Sequence, residues 1–97
     1  MVLVTIVAEP VMEELLTGEI LKLGATGYTV VDIRGRGTRG IRSADVPGHG
    51  IRIETLVSAE VADRILSHAA RAWFTHYAVV AWSTPANVVR GDKYFQE

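Results

Sequence analysis

Residues Val2 to Ala8 (VLVTIVA) form a run that is apolar except for Thr5. A β-branched run of this kind suits a strand covered on both faces. Pro10 then occupies a position that the first turn of a helix tolerates. Met12, Leu15, Leu16, Ile20 and Leu23 recur at helical spacing until Gly24 offers a stop. Gly18 inside this helix either costs about 1 kcal/mol relative to alanine or marks a close packing contact. From Tyr28 to Arg34 the pattern changes to alternation, with Thr29, Val31 and Ile33 on one face and Tyr28, Val30, Asp32 and Arg34 on the other, which predicts a second strand. Arg36 to Gly50 has no apolar period and contains four glycines and one proline, so it reads as a loop. Ile51 to Val57 alternates again as a third strand. Ser58 is a candidate N-cap, and Val61, Ile65, Leu66, Ala69 and Ala72 trace the apolar face of a second helix. Tyr77 to Ser83 supplies a fourth strand.

The element order is β-α-β-β-α-β, which predicts an α+β, ferredoxin-like sandwich: four antiparallel strands with both helices on one face. Residues 1–97 read as a single domain, since a chain of this length builds one core. The first and fourth strands are apolar on both faces, so the side of the sheet without helices needs a cover. A hydrophobic content of 48% points the same way, and other copies of the chain are the expected cover.

Charge and composition remove several function classes. Ten basic and eleven acidic residues leave a net charge of -1, which argues against nucleic acid or an anionic membrane as the main partner. Without cysteine there is no disulfide, thiolate metal site or thiol nucleophile. No stretch resembles a signal peptide or a spanning segment, so the cytoplasm is the expected compartment. His49, His68 and His76 fall on a loop, a helix and a strand start without ligand spacing, so no metal site is expected. No serine sits in a nucleophile elbow, and no catalytic residue is assigned. Trp73, Phe74 and Tyr77 cluster at the end of the second helix, where packing in a core or interface is their expected role. Arg90-Gly91-Asp92 reads as a chance tripeptide.

The stretch from Arg34 to Ser43 stands apart, with four arginines and three glycines in ten residues. Backbone N–H groups in a glycine-rich turn can converge on an anion, and guanidinium groups bind phosphate or carboxylate oxygens in a bidentate way. Gly35-Arg36-Gly37-Thr38-Arg39 is therefore a candidate anion cradle, phosphate above all. The alternative is a solvated hairpin whose arginines keep a sheet edge soluble.

The segment Gly24-Ala25-Thr26-Gly27-Tyr28-Thr29-Val30, followed by Gly35-Arg36-Gly37-Thr38-Arg39, resembles the PII signalling superfamily, in which such a segment leads into the root of the T-loop. The element order fits across essentially the whole chain, and Asn87-Val88-Val89-Arg90-Gly91 is similar to the family's last short strand. The resemblance implies a PII-like trimer with a T-loop at residues 36–50 and adenine nucleotides in the clefts between subunits. It implies that Tyr28, Thr29 and Val30 face the base and ribose, and that Gly35, Arg36, Gly37, Thr38, Arg39, Arg42 and Arg90 hold phosphate. No bound cofactor is implied.

The nitrogen-signalling members carry a glycine- and lysine-rich polyphosphate loop where this chain has only Ala72-Trp73-Phe74-Thr75-His76-Tyr77. Their modified tyrosine also has no counterpart in residues 36–50. The Arg39-Gly40-Ile41-Arg42-Ser43 run and the compact C-terminus are instead similar to PII-like proteins associated with inorganic-carbon uptake and carboxysomes. That group implies binding of AMP, ADP or cyclic AMP, in some members with bicarbonate. It also implies a regulated target such as a bicarbonate transporter, which would bring the protein to a membrane. Two other classes fit the architecture: a trimeric cation-tolerance protein that binds metal, and a weak nucleotide-hydrolysing enzyme.

Overall fold

The computed structural model describes residues 1–35 and 48–90. The chain runs β1 (Val2–Ala8), a 3-10 turn (Pro10–Met12), α1 (Glu13–Lys22), β2 (Thr29–Arg34), β3 (His49–Val57), α2 (Ala59–His68), a π-helical turn (Ala69–Trp73) and β4 (Val80–Pro85). The strands form one antiparallel sheet in the order β2-β3-β1-β4. This is the ferredoxin-like α+β fold expected from the sequence.

Both helices have local reasons to start and stop. Pro10 opens the turn before α1, and Glu13 and Glu14 place acidic charge at the positive helix end. Gly24 ends α1 with φ +122°, and a Cβ there would lie 3.0 Å from the Val61 side chain. The glycine thus lets the end of α1 close on α2, where Arg64 Nε donates to the Leu23 carbonyl at 3.1 Å. Ser58 caps α2 by accepting from the Val61 N–H. The helix then widens by one residue: Phe74 N–H donates to the Ala69 carbonyl at 2.9 Å, a five-residue step, and this π-turn carries Trp73 into the core.

Register fixes which side chains meet. Val2, Val4, Ile6 and Ala8 share the helix-side face with Ile51, Ile53 and Val57, and pack there with Leu16, Ile20, Ala62, Ile65 and Trp73. Each large side chain removed from water here contributes about 1.5–3 kcal/mol. The other face carries Leu3, Thr5 and Val7 of β1, Val80, Trp82 and Thr84 of β4, Arg52, Glu54 and Leu56 of β3, and Thr29, Val31 and Ile33 of β2. Val80 and Trp82 are 56% and 44% exposed on it.

Two strand boundaries differ from the sequence expectation, and two alternatives that it left open are narrowed. β3 begins at His49, two residues before Ile51, because backbone pairing of Arg34 with His49 and Ile33 with Gly50 extends a ladder that no apolar side chain announces. β4 runs from Val80 to Pro85, since a turn after the π-helical segment and an irregular stretch beyond it occupy Phe74 to Val79. Gly18 makes no close contact; a Cβ there meets nothing within 4 Å. Of the three clustered aromatics only Trp73 is core, while Phe74 and Tyr77 stay exposed. Among the described residues no helix is long and apolar enough to cross a membrane.

Candidate functional site

β2 and β3 leave the sheet together at Gly35 and Gly48. Gly35 N–H donates to the Gly48 carbonyl at 2.7 Å, and Gly48 has φ +88°. A Cβ on Gly48 would stand 2.9 Å from the Gly35 carbonyl oxygen. The clasp therefore needs glycine at 48 for both space and backbone conformation. Beside it lies an open cleft of about 550 Å³ lined by Pro10, Asp32, Ile33, Arg34, His49 and Gly50. Its rim offers a guanidinium and an imidazole along with one carboxylate, so it suits a ligand with anionic and hydrogen-bonding groups.

Tyr28, Thr29 and Val30 lie at the opposite end of β2. Tyr28 and Thr29 are exposed, and Val30 is half-buried against the core. Thr55 Oγ1 donates to the Gly27 carbonyl at 2.6 Å and fixes the entry into the strand. The C-terminal segment starts at this end too, where Ala86 N–H donates to the Met1 carbonyl at 3.0 Å, and exposed Arg90 follows in the turn beyond. The six residues of β2 separate Thr29 from Gly35 by roughly 17–20 Å. Within one chain, Tyr28 to Val30 and Gly35 thus do not converge. Arg36, Gly37, Thr38, Arg39 and Arg42 lie outside the described residues.

A polar cluster that the sequence did not announce joins the two helices. Glu19 Oε1 on α1 accepts from Trp73 Nε1 at 2.6 Å and pairs with His68 Nε2 on α2 at 2.8 Å. The His68 and Trp73 rings meet edge to face at 5.5 Å. The Trp73 hydrogen bond holds the Glu19 carboxyl below its ordinary range, aided by His68 and Lys22 and opposed by burial. A five-residue spacing between His68 and Trp73 matches neither helical nor strand periodicity, so only the π-turn brings them together. Arg34, Asp32, His49 and Pro10 were equally hidden as a group, because their meeting depends on sheet register. Among the described residues no group of three or more histidine, aspartate or glutamate side chains could hold a metal ion.

The sequence model of the family described as nitrogen regulatory protein P-II matches residues 1–93. The chain belongs to the PII family. It is similar to a PII-like signalling protein of Thermus thermophilus, with 54% identity over 96% of this chain and 93% of that one, and a TM-score of 0.82. The PII-like fold also matches CPII of Thiomonas intermedia bound to ADP and bicarbonate, at 23% identity over 96% and 92% of the two chains and a TM-score of 0.80. CPII bound to ADP, AMP and acetate matches at 22% identity over the same shares, with a TM-score of 0.79. The likeness to CPII is one of fold.

Proposed function

We propose that this PII-like signalling protein is a non-catalytic homotrimeric sensor that binds AMP or ADP in the clefts between subunits. The observation that carries this reading is the separation of the candidate residues along β2. Tyr28, Thr29, Val30 and Arg90 lie at one end, and the Gly35 clasp lies at the other. One compact nucleotide can meet both sets only if neighbouring chains supply them. Tyr28, Thr29 and Val30 of one subunit then read base and ribose, with Arg90 reaching phosphate. Gly35, Arg36, Gly37, Thr38, Arg39 and Arg42 of the next subunit complete the phosphate site. The exposed apolar sheet face supports assembly, since Val80 and Trp82 gain by leaving water.

The Gly35–Gly48 clasp is then the root of the T-loop, whose expected span of residues 36–50 shortens to 36–48 because His49 and Gly50 pair in β3, within a single domain 1–97. Occupancy orders this loop and so changes the surface offered to a target. The ligands of CPII, ADP with bicarbonate, support a role in inorganic-carbon uptake or fixation. The target fitting that role is a bicarbonate transporter, with the sensor on the cytoplasmic side. Calorimetry of the trimer against AMP, ADP, ATP, cyclic AMP and bicarbonate, singly and in pairs, tests the reading. Binding of AMP or ADP without turnover supports it. Metal binding without nucleotide binding supports the cation-tolerance class, and steady product formation supports an enzyme; either result overturns the sensor.

A further inference from the structure

The two helices differ in what they show to water. α2 exposes Glu60, Asp63, Arg64 and Ser67, as the outer face of an amphipathic helix should. α1 and the turn before it expose Val11, Leu15 and Leu21 instead, at 81%, 39% and 45%. A helix that is apolar on its outer side as well as on its inner one calls for a second cover. Gly18 lies in the middle of this outer face, where it weakens the helix relative to alanine. No contact within the chain requires it, since a Cβ there meets nothing within 4 Å. What glycine provides at an exposed helical position is room for another backbone to come close.

The charges on this face are arranged symmetrically about Gly18. Glu14 lies four residues before it and Lys22 four residues after, so the three form a single row on the helix surface, inclined about 26° to the axis. Leu15 and Leu21, three residues before and after Gly18, border the row on opposite sides. Among the described residues neither Glu14 nor Lys22 makes a direct ion pair. Rows of this kind on two helices run parallel when the helices cross at about 50°. With a second α1 running in the opposite sense, Gly18 lies over Gly18, and Glu14 of each copy lies over Lys22 of the other. Such self-complementarity about one residue is what a two-fold contact between identical surfaces needs.

We propose that the outer face of α1 pairs with α1 of a second copy of the chain, antiparallel and crossing at Gly18, with Glu14 and Lys22 paired between the copies. The open sheet face assigned to the trimer lies on the other side of the sheet, so the α1 contact joins separate assemblies and does not depend on the nucleotide reading. α1 has 10 residues and is about 15 Å long, which offers far less area than the roughly 1,200–2,000 Å² of a stable interface. The contact is therefore weak and forms as concentration rises.

Sedimentation of the full chain from micromolar to millimolar concentration tests the pairing, at low ionic strength where exposed charge pairs are least screened. The mass should rise above that of the dilute species. Glu14→Lys sets lysine over Lys22 of the other copy, and Lys22→Glu sets glutamate over Glu14. The two-fold repeats each repulsion, so either substitution alone should weaken association on the order of 10- to 100-fold. An equimolar mixture of the two variants should associate again, as should the chain that carries both substitutions. Gly18→Gln separates pairing from folding: glutamine favours the helix and its Cβ meets no neighbour in the chain, so the melting temperature of the dilute species should rise while the concentration dependence disappears. A wild type whose mass stays constant up to millimolar concentration overturns the pairing. Association that survives in Gly18→Gln, or a mixture of the charge variants that fails to associate, overturns it equally.

Discussion

Glu19 Oε1 and Trp73 Nε1 lie 2.6 Å apart, so one carboxylate oxygen on α1 holds the indole that closes the far end of α2. His68 uses the same oxygen at 2.8 Å. A buried indole N–H needs a partner, and leaving one unsatisfied costs about 1–3 kcal/mol. Glu19→Ala should lower unfolding stability by that amount, whereas Glu19→Gln, which keeps an acceptor, should lose less at neutral pH.

The same contact gives stability a defined pH dependence. The folded-state carboxyl of Glu19 lies below its ordinary value of 4.5, with the Trp73 hydrogen bond as the largest cause. A depressed carboxyl contributes stability that is present above the unfolded value and lost as pH falls through the folded one. Urea melts between about pH 3 and pH 6, followed by Trp73 emission in a Trp82→Phe background, should show this loss. In Glu19→Gln the acid-side slope should flatten; an unchanged slope would assign it to other carboxylates.

Two glycines should respond to alanine in opposite directions. At Gly18 the added methyl meets nothing within 4 Å and lies inside α1, so Gly18→Ala should stabilise by about 0.5–1 kcal/mol. At Gly48, φ is +88° and the methyl collides with the Gly35 carbonyl, so Gly48→Ala should destabilise by roughly 1–3 kcal/mol. Thermal melts read both signs, and faster hydrogen exchange at the Gly35 amide should locate the second effect at the clasp.

The open sheet face should separate assembly from folding. Val80 and Trp82 take no part in the helix-side core, so Val80→Asp or Trp82→Glu should leave circular dichroism of the unliganded chain unchanged. In an assembly built on that face, either substitution places an unpaired charge in an apolar contact. Sedimentation should then fall from three times 10.6 kDa towards one. Variants that remain trimeric would move the contact to another surface.

The fold was legible because periodicity and capping agree along the chain. Alternation at Thr29 to Arg34, the Ser58 cap and the Gly24 stop all appear where the residues indicated. Legibility ended where backbone alone decides structure. His49 and Gly50 join β3 through ladder hydrogen bonds, and the π-turn at Ala69–Trp73 inserts a residue that no 3.6-residue pattern encodes. The exposed Phe74 and Tyr77 follow from that insertion, since it directs the burial of the region to Trp73. For the candidate site, Tyr28, Thr29, Val30 and Gly35 stood out singly as expectations from the family motif. Their distribution over two ends of β2 did not, because distance across a strand appears only once strand boundaries and pairing are fixed.

The last prediction concerns Arg39 and the residues around it. A guanidinium hydrogen-bonded to phosphate contributes roughly 1.5–3 kcal/mol, so Arg39→Ala should weaken ADP binding on the order of 10- to 100-fold. Assembly and unliganded melting temperature should stay near wild type, because the contact exists only with ligand bound. The chain lacks the polyphosphate loop of the nitrogen-signalling PII proteins, and the α2–β4 segment offers a third phosphate no charge. AMP or ADP should therefore bind at least as tightly as ATP; a strong ATP preference would contradict this assignment of the phosphate site. If binding orders the T-loop, amides from 38 to 47, ahead of the Gly48 clasp and β3, should gain protection when ADP saturates the trimer, and Arg39→Ala should need more ADP to reach the same protection. Unchanged exchange in that segment at saturating AMP and ADP would remove the switch and leave the arginines as a solvated hairpin.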